Sequence, residues 1–329
     1  MFSRNELLDI IKNNAESIPS DLLKTAVENR KKYYANKVFF RGLLEFSNYC
    51  KNDCFYCGIR RSNAAVARFR MTADEIVSAV GIGYGAGLRS FVLQSGEDVL
   101  YYSEKMLCDI IYAIKNAYAD CALTLSLGEK SKSEYRSYKG AGADRYLLRH
   151  ETADSGHYSM LHPESMTLES RMKCLYELKE LGFQTGAGFM VGSPYQTDEN
   201  LCDDLIFLQS FKPDMVGIGP FIPHKRTPFA DFKAGGINKT LLMLCLTRVV
   251  LPNVLMPATT AMATVSENGR AAALASGANV VMPSVLESDN TSGYNIYDGK
   301  VKESLNELIA VVTDAGMIPA FERGDVVCK

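Results

Sequence analysis

Three cysteines crowd into one short stretch, Cys50-Lys-Asn-Asp-Cys54-Phe-Tyr-Cys57, with the spacing C-x3-C-x2-C. Thiolates are soft donors, and three this close can hold a metal centre. They are one short of the four that close a fully protein-ligated [4Fe–4S] cluster. Three ligands leave one iron open, and an open coordination position is what a catalytic metal site needs. Other readings compete. A structural zinc requires a fourth Cys or His nearby, and the nearest histidine is His150. A redox dithiol at Cys54 and Cys57 leaves Cys50 unused and lacks a thioredoxin-like context. Buried cysteines grouped by coincidence do not usually cluster at a strand exit. The open cluster fits the spacing best, with zinc second.

The remaining cysteines, Cys108, Cys121, Cys174, Cys202, Cys245 and Cys328, are scattered. They read as small buried hydrophobes. The 329 residues carry 36 Lys and Arg against 38 Asp and Glu, a net charge of −2. That balance gives no electrostatic reason to expect nucleic acid or an anionic membrane as partner. An apolar fraction of 47 % with 22 % charged residues is ordinary for a folded domain. No stretch approaches the roughly 20 apolar residues of a membrane span. The N-terminal MFSRNELLDIIKNNAES lacks the apolar core of a secretion signal, so a cytoplasmic location is expected, where thiols stay reduced.

Short apolar runs alternate with amphipathic windows. Strands are expected at Val38–Phe46, Arg89–Gln94, Ala122–Leu127, Arg145–Arg149, Gln184–Met190, Met215–Ile218, Val254–Pro257 and Asn279–Met282. Thr72 with Glu75 and Ser131 with Glu134 form capping boxes, and Ser20 is placed as an N-cap. Glycine clusters (YGAGLRS, KGAGADR, KELGFQT, LASGANV) precede strands and read as helix C-caps. Gly81, Gly83 and Ala86 match a dinucleotide fingerprint, but they end a helix rather than open one, so the match is dismissed. The pattern predicts an α/β fold, a (β/α)8 TIM-type barrel over 36–329 with a C-terminal helical segment, preceded by a helical extension over 1–35. A doubly wound open sheet is the alternative. The stretch 213–240 reads as a long functional loop.

In such a barrel the chemistry sits at the C-terminal ends of the strands. Ser95, Gly96 and Glu97, then Ser126, then Arg149, His150 and Glu151, then Met190, then Thr259 and Thr260 all fall there. His224 lies in the loop after the sixth strand. His157 and His162 read as surface residues. Tyr294 and Tyr297 fit a helical i, i+3 packing pair.

The cysteine loop, with aromatic Tyr56 before the third cysteine, resembles the defining motif of the radical S-adenosylmethionine superfamily. Further words recur in order: FRGLLEFSNYCKNDCFYCGIRRSN, RFRMTADEIV, FVLQSGED, TLSLGE, GADRYLLRHETA, TGAGFMVG, DMVGIGPFIPH, ATTAMAT and GANVVMP. Together they resemble the HydE family of [FeFe]-hydrogenase maturases, from roughly residue 38 to 300. Biotin synthase and methylornithine synthase match fewer of them.

The resemblance implies one [4Fe–4S] cluster on Cys50, Cys54 and Cys57, with S-adenosylmethionine as co-substrate. Reductive cleavage at the cluster would give a 5′-deoxyadenosyl radical. It implies Glu151 as the ribose contact and Arg171 as the carboxylate partner, with Ser126 and the stretch at Ser95, Gly96 and Glu97 supporting the methionyl end. Tyr56, Arg149 and Met190 complete the cofactor set. Thr259, Thr260, Tyr294 and Tyr297 resemble residues lining a substrate cavity. The implied substrate is a small organometallic species, a cysteine-bound iron carbonyl/cyanide precursor. Implied partners are a reductant such as ferredoxin or flavodoxin and other hydrogenase maturases. A second set of cysteines near the C-terminus, present in several family members, is missing from DGKVKESLNELIAVVTDAG, so a single cluster is expected. Two alternatives stand beside this reading: a related mutase or sulfur-chemistry enzyme of the methylornithine-synthase or biotin-synthase type, and a non-catalytic iron–sulfur scaffold.

Overall fold

Wholly apolar short runs become parallel strands because helices or barrel contents cover both of their faces. The computed structural model describes residues 2–286, 294–301 and 303–327. Its strands are β1 (Lys37–Phe40), β2 (Gly42–Ser47), β3 (Ser90–Ser95), β4 (Ala122–Ser126), β5 (Arg145–Leu147), β6 (Gln184–Val191), β7 (Met215–Pro220), β8 (Val280–Val281) and β9 (Ile318–Ala320). Strands β2 to β7 lie side by side in sequence order, all parallel. Single bridges from Met215 to Leu255, from Pro257 to Val280 and from Leu43 to Ser284 close the ring. The expected barrel is therefore present.

Two strands differ from expectation. The first breaks at Arg41, whose N–H donates to the Val281 carbonyl at 3.0 Å. Before the break β1 pairs with β8 and β9; after it β2 pairs with β3. The run Val254–Pro257 makes only the single bridges named above, because its neighbours β7 and β8 offer few residues in register.

The helices are α1 (Arg4–Asn13), α2 (Ser20–Tyr34), α3 (Ala73–Gly85), α4 (Glu104–Ala117), α5 (Lys132–Ala141), α6 (Ser155–Leu161), α7 (Leu168–Glu180), α8 (Asp198–Phe211), α9 (Ile237–Val250), α10 (Thr260–Val265), α11 (Gly269–Ala275) and α12 (Leu305–Asp314). In α4 the residues Leu107, Ile110, Ile111 and Ile114 recur at helical spacing and are all buried. Each such side chain stabilises the fold by roughly 1.5–3 kcal/mol. The capping boxes at Thr72 and Ser131 form as read. Ser20 does not cap: it is the first helical residue, and Pro19 precedes it without a side-chain bond. All four expected C-cap clusters hold a left-handed glycine, Gly87, Gly142, Gly182 and Gly277.

Helix α1 reaches α8 through Arg4 and Asp203 at 2.7 Å, and Arg30 of α2 donates to the Leu274 carbonyl at 3.0 Å. At the strand-entry end the fully buried Arg145 bonds Ser90, the Arg323 and Gly324 carbonyls and Asp325. This plug leaves the opposite end as the open one. Among the described residues no helix is long and apolar enough to cross a membrane.

Candidate active site

The strand exits surround a cavity of about 300 Å³. Its wall takes Tyr56 and Cys57 from the loop after β2, Ser95 from β3, Ser126 from β4, Arg149 and Glu151 from beyond β5, and Met190 from β6. A second depression of about 690 Å³ lies at the strand-entry end, around Lys37, Phe39 and Gly324. It holds none of the cysteines.

The cysteine loop is fastened at several points. Arg60 and Ser62 grip the Asp53 carboxylate and, against the upward push of burial, hold it down to about 2. The Lys51 N–H donates to the Glu97 carbonyl at 3.0 Å, and the Glu97 N–H points at Cys50 Sγ at 3.4 Å. Gly96 packs so tightly beneath this loop that a Cβ there would lie 2.2 Å from the Tyr49 carbonyl oxygen.

Burial pushes all three thiols up, Cys57 to about 12 and Cys54 well above its ordinary value. For Cys54 and Cys57 the neighbouring cysteines add to the shift. Three thiolates there need a strong positive charge beside them. Among the described residues no three Cys, His, Asp or Glu side chains converge as around a single ion. A tetrahedral zinc needs such convergence, whereas a cluster binds each cysteine on its own iron.

A chain of hydrogen bonds joins this loop to the far wall. Glu97 Oε1 accepts from the Glu129 N–H at 2.9 Å, and Glu129 Oε1 accepts from Arg171 Nε at 2.7 Å. Arg171 Nη1 then donates to the Arg149 carbonyl at 2.6 Å. Two residues on, Glu151 sits at φ 67°, a left-handed conformation that is strained for a side chain of this size. A bridge to Phe189 of β6 and an N–H···O bond to Gly188 at 3.0 Å hold it there. Arg149 Nη2 lies 3.0 Å from Glu151 Oε2 in an ion pair, and Arg149 Nε is buried without a hydrogen-bond partner. Such an atom costs roughly 1–3 kcal/mol unless a ligand meets it.

Comparison with known proteins supplies the context for this geometry. The Radical SAM superfamily model matches residues 44–208, which include the cysteine loop and the Arg149–Glu151 strand exit. The [FeFe] hydrogenase maturase subunit HydE of Thermotoga maritima is 47 % identical over 300 residues, 91 % of this chain and 85 % of that one. The chain belongs to the radical SAM superfamily. The 3-methylornithine synthase of Methanosarcina acetivorans is 27 % identical over 97 % of this chain and 90 % of its own. In fold, the crystal structure of methylornithine synthase (PylB) superposes with a TM-score of 0.83 at 24 % identity, covering 97 % of this chain and 94 % of that one. That of HydG, a maturase of the [FeFe]-hydrogenase, gives 0.79 at 18 %, covering 97 % and 77 %.

Radical SAM enzymes use a [4Fe–4S] cluster held by three cysteines, together with S-adenosylmethionine. The donor set fits that pair. Burial raises the thiols although Arg68 and Arg171 lie near them, and the wall opposite presents the Arg149–Glu151 ion pair, with Arg149 Nε unpartnered, beside Ser95, Ser126 and the thioether of Met190.

The predicted residues divide. Tyr56, Cys57, Ser95, Ser126, Arg149, Glu151, Arg171, Met190, Thr259, Thr260 and Tyr297 all border the cavity. Gly96 supports Cys50 from below. Glu97 faces the Glu129 backbone and Lys51, so it acts on the loops and does not line the cavity. Tyr294 is buried behind the wall, and neither it nor Tyr297 lies in a helix. The surface reading of His157 and His162 fails, since both are buried. His162 accepts from or donates to Tyr56 Oη at 3.2 Å and bonds the Tyr158 carbonyl at 3.0 Å. His150 faces Asp204 at 3.2 Å, outside the cavity wall. His224 is buried against Gly58 of the cysteine loop. Cys121, Cys174, Cys202 and Cys245 are buried as expected, Cys108 partly so; Cys328 lies outside the described residues.

Sequence reasoning missed Glu45 and Lys300, which pair closely on the cavity wall. For Glu45 a signal existed. It shares the inward parity of Leu43 on β2 and pairs in register with Gln94, so a charge in an apolar barrel strand had to face the interior.

Proposed function

We propose that this chain is a radical S-adenosylmethionine enzyme of [FeFe]-hydrogenase maturation, acting as HydE acts on a small cysteine-bound iron carbonyl/cyanide precursor. The observation that carries it is the placement of Tyr56 and Cys57 on the wall of the same cavity as the Arg149–Glu151 ion pair, whose Arg149 Nε is unpartnered. The 47 % identity with HydE over 91 % of the chain supports the maturation role. In this reading Cys50, Cys54 and Cys57 hold the cluster. When bound and reduced, the cluster supplies the electron that splits S-adenosylmethionine into methionine and a 5′-deoxyadenosyl radical.

The protein's part is positioning and exclusion of water. Glu151, held by Arg149, offers its carboxylate to ribose hydroxyls. Arg149 offers its unpartnered Nε to an anionic group, with Ser95 and Ser126 on the adjoining wall. Arg171 clamps the Arg149 carbonyl and Glu129, so the strand exit cannot drift from the cysteine loop. Met190 packs with Phe221, Leu161 and Phe229 into an apolar side of the site that keeps water from a reactive species. Thr259, Thr260 and Tyr297 border the part left for substrate. A low-potential reductant such as ferredoxin or flavodoxin and the other hydrogenase maturases are the partners this role requires, and a cytoplasmic setting suits its reduced thiols.

Anaerobic reconstitution with iron and sulfide, followed by S-adenosylmethionine and dithionite, tests the reading. Formation of 5′-deoxyadenosine is expected, and so is restored hydrogenase activity in a host lacking its HydE. An intact cluster that yields no 5′-deoxyadenosine overturns the enzyme assignment. Cleavage without complementation overturns the maturation role.

A further inference from the structure

One fully buried pair behind the cavity wall has no part in the scheme above: Asp204 of α8 and His150, the residue before Glu151. Asp204 Oδ1 accepts from the Ala153 N–H at 2.6 Å and faces His150 Nε2 at 3.2 Å. On the other side of the ring the Gly188 N–H lies 3.2 Å from His150 Nδ1. A backbone N–H can only donate, so Nδ1 accepts and the ring proton sits on Nε2, aimed at Asp204. Burial keeps this ring neutral, lowering its pKa to about 3. Phe207 and Phe189 close around it, with ring centroids 4.8 and 5.9 Å away.

These bonds bracket Glu151. One oxygen atom on a helix fastens the side chain of the residue before it and the backbone two residues after it. The Gly188 peptide completes the bracket: its N–H meets His150, and its carbonyl accepts from the Glu151 N–H at 3.0 Å. Glu151 itself stands at φ 67°, and such a conformation persists only where the surroundings over-determine it. Apolar side chains could fill the space of the pair, but none could accept from Ala153. The second carboxyl oxygen, Oδ2, is buried without a hydrogen-bond partner, so Asp204 works through a single acceptor atom.

We propose that Asp204 is a positioning residue for Glu151: through Oδ1 it locks His150 and Ala153, and so holds the Glu151 carboxylate at the angle its ligand requires. Neither Asp204 nor His150 borders the cavity, so both act only through the residue between them. The inference rests on the radical S-adenosylmethionine reading, in which Glu151 meets the ribose, and adds to it a residue from outside the cavity. Displacing a binding group by about 1 Å can cost on the order of 10²-fold, so loss of this acceptor should register in cofactor affinity.

The test is equilibrium dialysis of S-adenosylmethionine against cluster-loaded protein. Asp204→Leu keeps the volume but has no acceptor, and should bind about tenfold more weakly than the wild type, or worse, at unchanged iron content. Asp204→Asn keeps an acceptor in the place of Oδ1 and puts its amide nitrogen where Oδ2 has no partner, so it should rescue binding to within about threefold. His150→Phe keeps a ring among the same aromatic neighbours and leaves the Ala153 bond, but loses both ring bonds. It should weaken binding by roughly threefold to tenfold, and it carries the test if Asp204→Leu does not fold. Leu208→Ala opens a cavity on the buried face of the same helix; it should lower the melting temperature yet bind as the wild type does. Wild-type affinity in Asp204→Leu or His150→Phe, binding by Asp204→Asn as weak as that of Asp204→Leu, or an equal loss in Leu208→Ala would each overturn the positioning role. Production of 5′-deoxyadenosine by the same wild-type sample shows that the radical reading survives such an outcome.

Discussion

Arg171 donates to the backbone carbonyl of Arg149 at 2.6 Å, so a helix side chain anchors the strand exit that carries the cavity-lining charges Arg149 and Glu151. Its Nε holds Glu129 at the same time, and both guanidinium bonds are made inside the protein, where Arg171 is 7 % exposed. Arg171→Met therefore removes two anchors and leaves the half-buried Glu129 carboxylate without its cation, bonded still to the Ser170 hydroxyl at 2.7 Å. We expect S-adenosylmethionine affinity to fall by 10²-fold or more, read by equilibrium dialysis on cluster-loaded protein. Arg171→Lys keeps the charge but cannot span both partners, and should lie between the two. Equal affinities in all three proteins would refute the anchoring role.

The two classes of cysteine should separate cleanly. Cys54→Ala removes one of three thiols that share one loop, and should abolish the brown colour near 400 nm and the iron content after reconstitution. Cys245→Ala removes a thiol buried inside α9, with no described link to that loop. It should keep full iron content and lose only about 1 kcal/mol of stability in a denaturant titration. Retained colour in Cys54→Ala would mean that the ligands are misassigned.

The barrel and the cysteine loop were legible for physical reasons. Strands buried on both faces announce themselves as unbroken apolar runs, and the four C-cap glycines mark turns that other residues enter only with strain. Ligand spacing within eight residues is local information. What stayed hidden was long-range. Glu129 meets Arg171 across 42 positions and Glu45 meets Lys300 across 255, and no periodicity encodes such pairs. Buried His157 and His162 were misread because a short helix of mixed polarity looks like a surface segment until Pro194 and Tyr56 are seen to meet their ring nitrogens. The break at Arg41 was invisible for the same reason, since its cause is the neighbouring strand's carbonyl.

Gly96 gives a backbone test of how the site is assembled. A Cβ there would meet the Tyr49 carbonyl at 2.2 Å and Cys50 Cβ at 2.8 Å, and backbone cannot move aside as a flexible side chain can. Gly96→Ala should therefore destabilise the protein by about 1–3 kcal/mol and lower cluster occupancy, because relief of the clash displaces Cys50. Gly85→Ala is the control: nothing lies within 4 Å of a Cβ there, and it sits at the end of α3. A Gly96→Ala protein with normal iron content and normal stability would refute the claim that this turn sets the position of the cysteine loop.

His162 makes the stability of the chain pH-dependent, and the sign follows from its burial. Burial, reinforced by the positive charge of Arg171, lowers its pKa to about 3, from the ordinary value of about 6.5 in an unfolded chain. Between those values the unfolded state takes up a proton that the folded state refuses, so stability is lost as pH falls below about 6.5. Both ring nitrogens are engaged in the neutral form. Nδ1–H donates to the Tyr158 carbonyl at 3.0 Å and leaves Nε2 to accept from Tyr56 Oη at 3.2 Å. A protonated ring would have to donate from Nε2, turning Tyr56 Oη from donor to acceptor. From pH 7.5 to 5.5 this one group should cost the fold about 1 kcal/mol. His162→Gln cannot titrate, so its urea midpoint should shift less over the same interval than that of the wild type. An identical pH slope in the two proteins would mean that His162 is protonated, or exposed, in the folded chain.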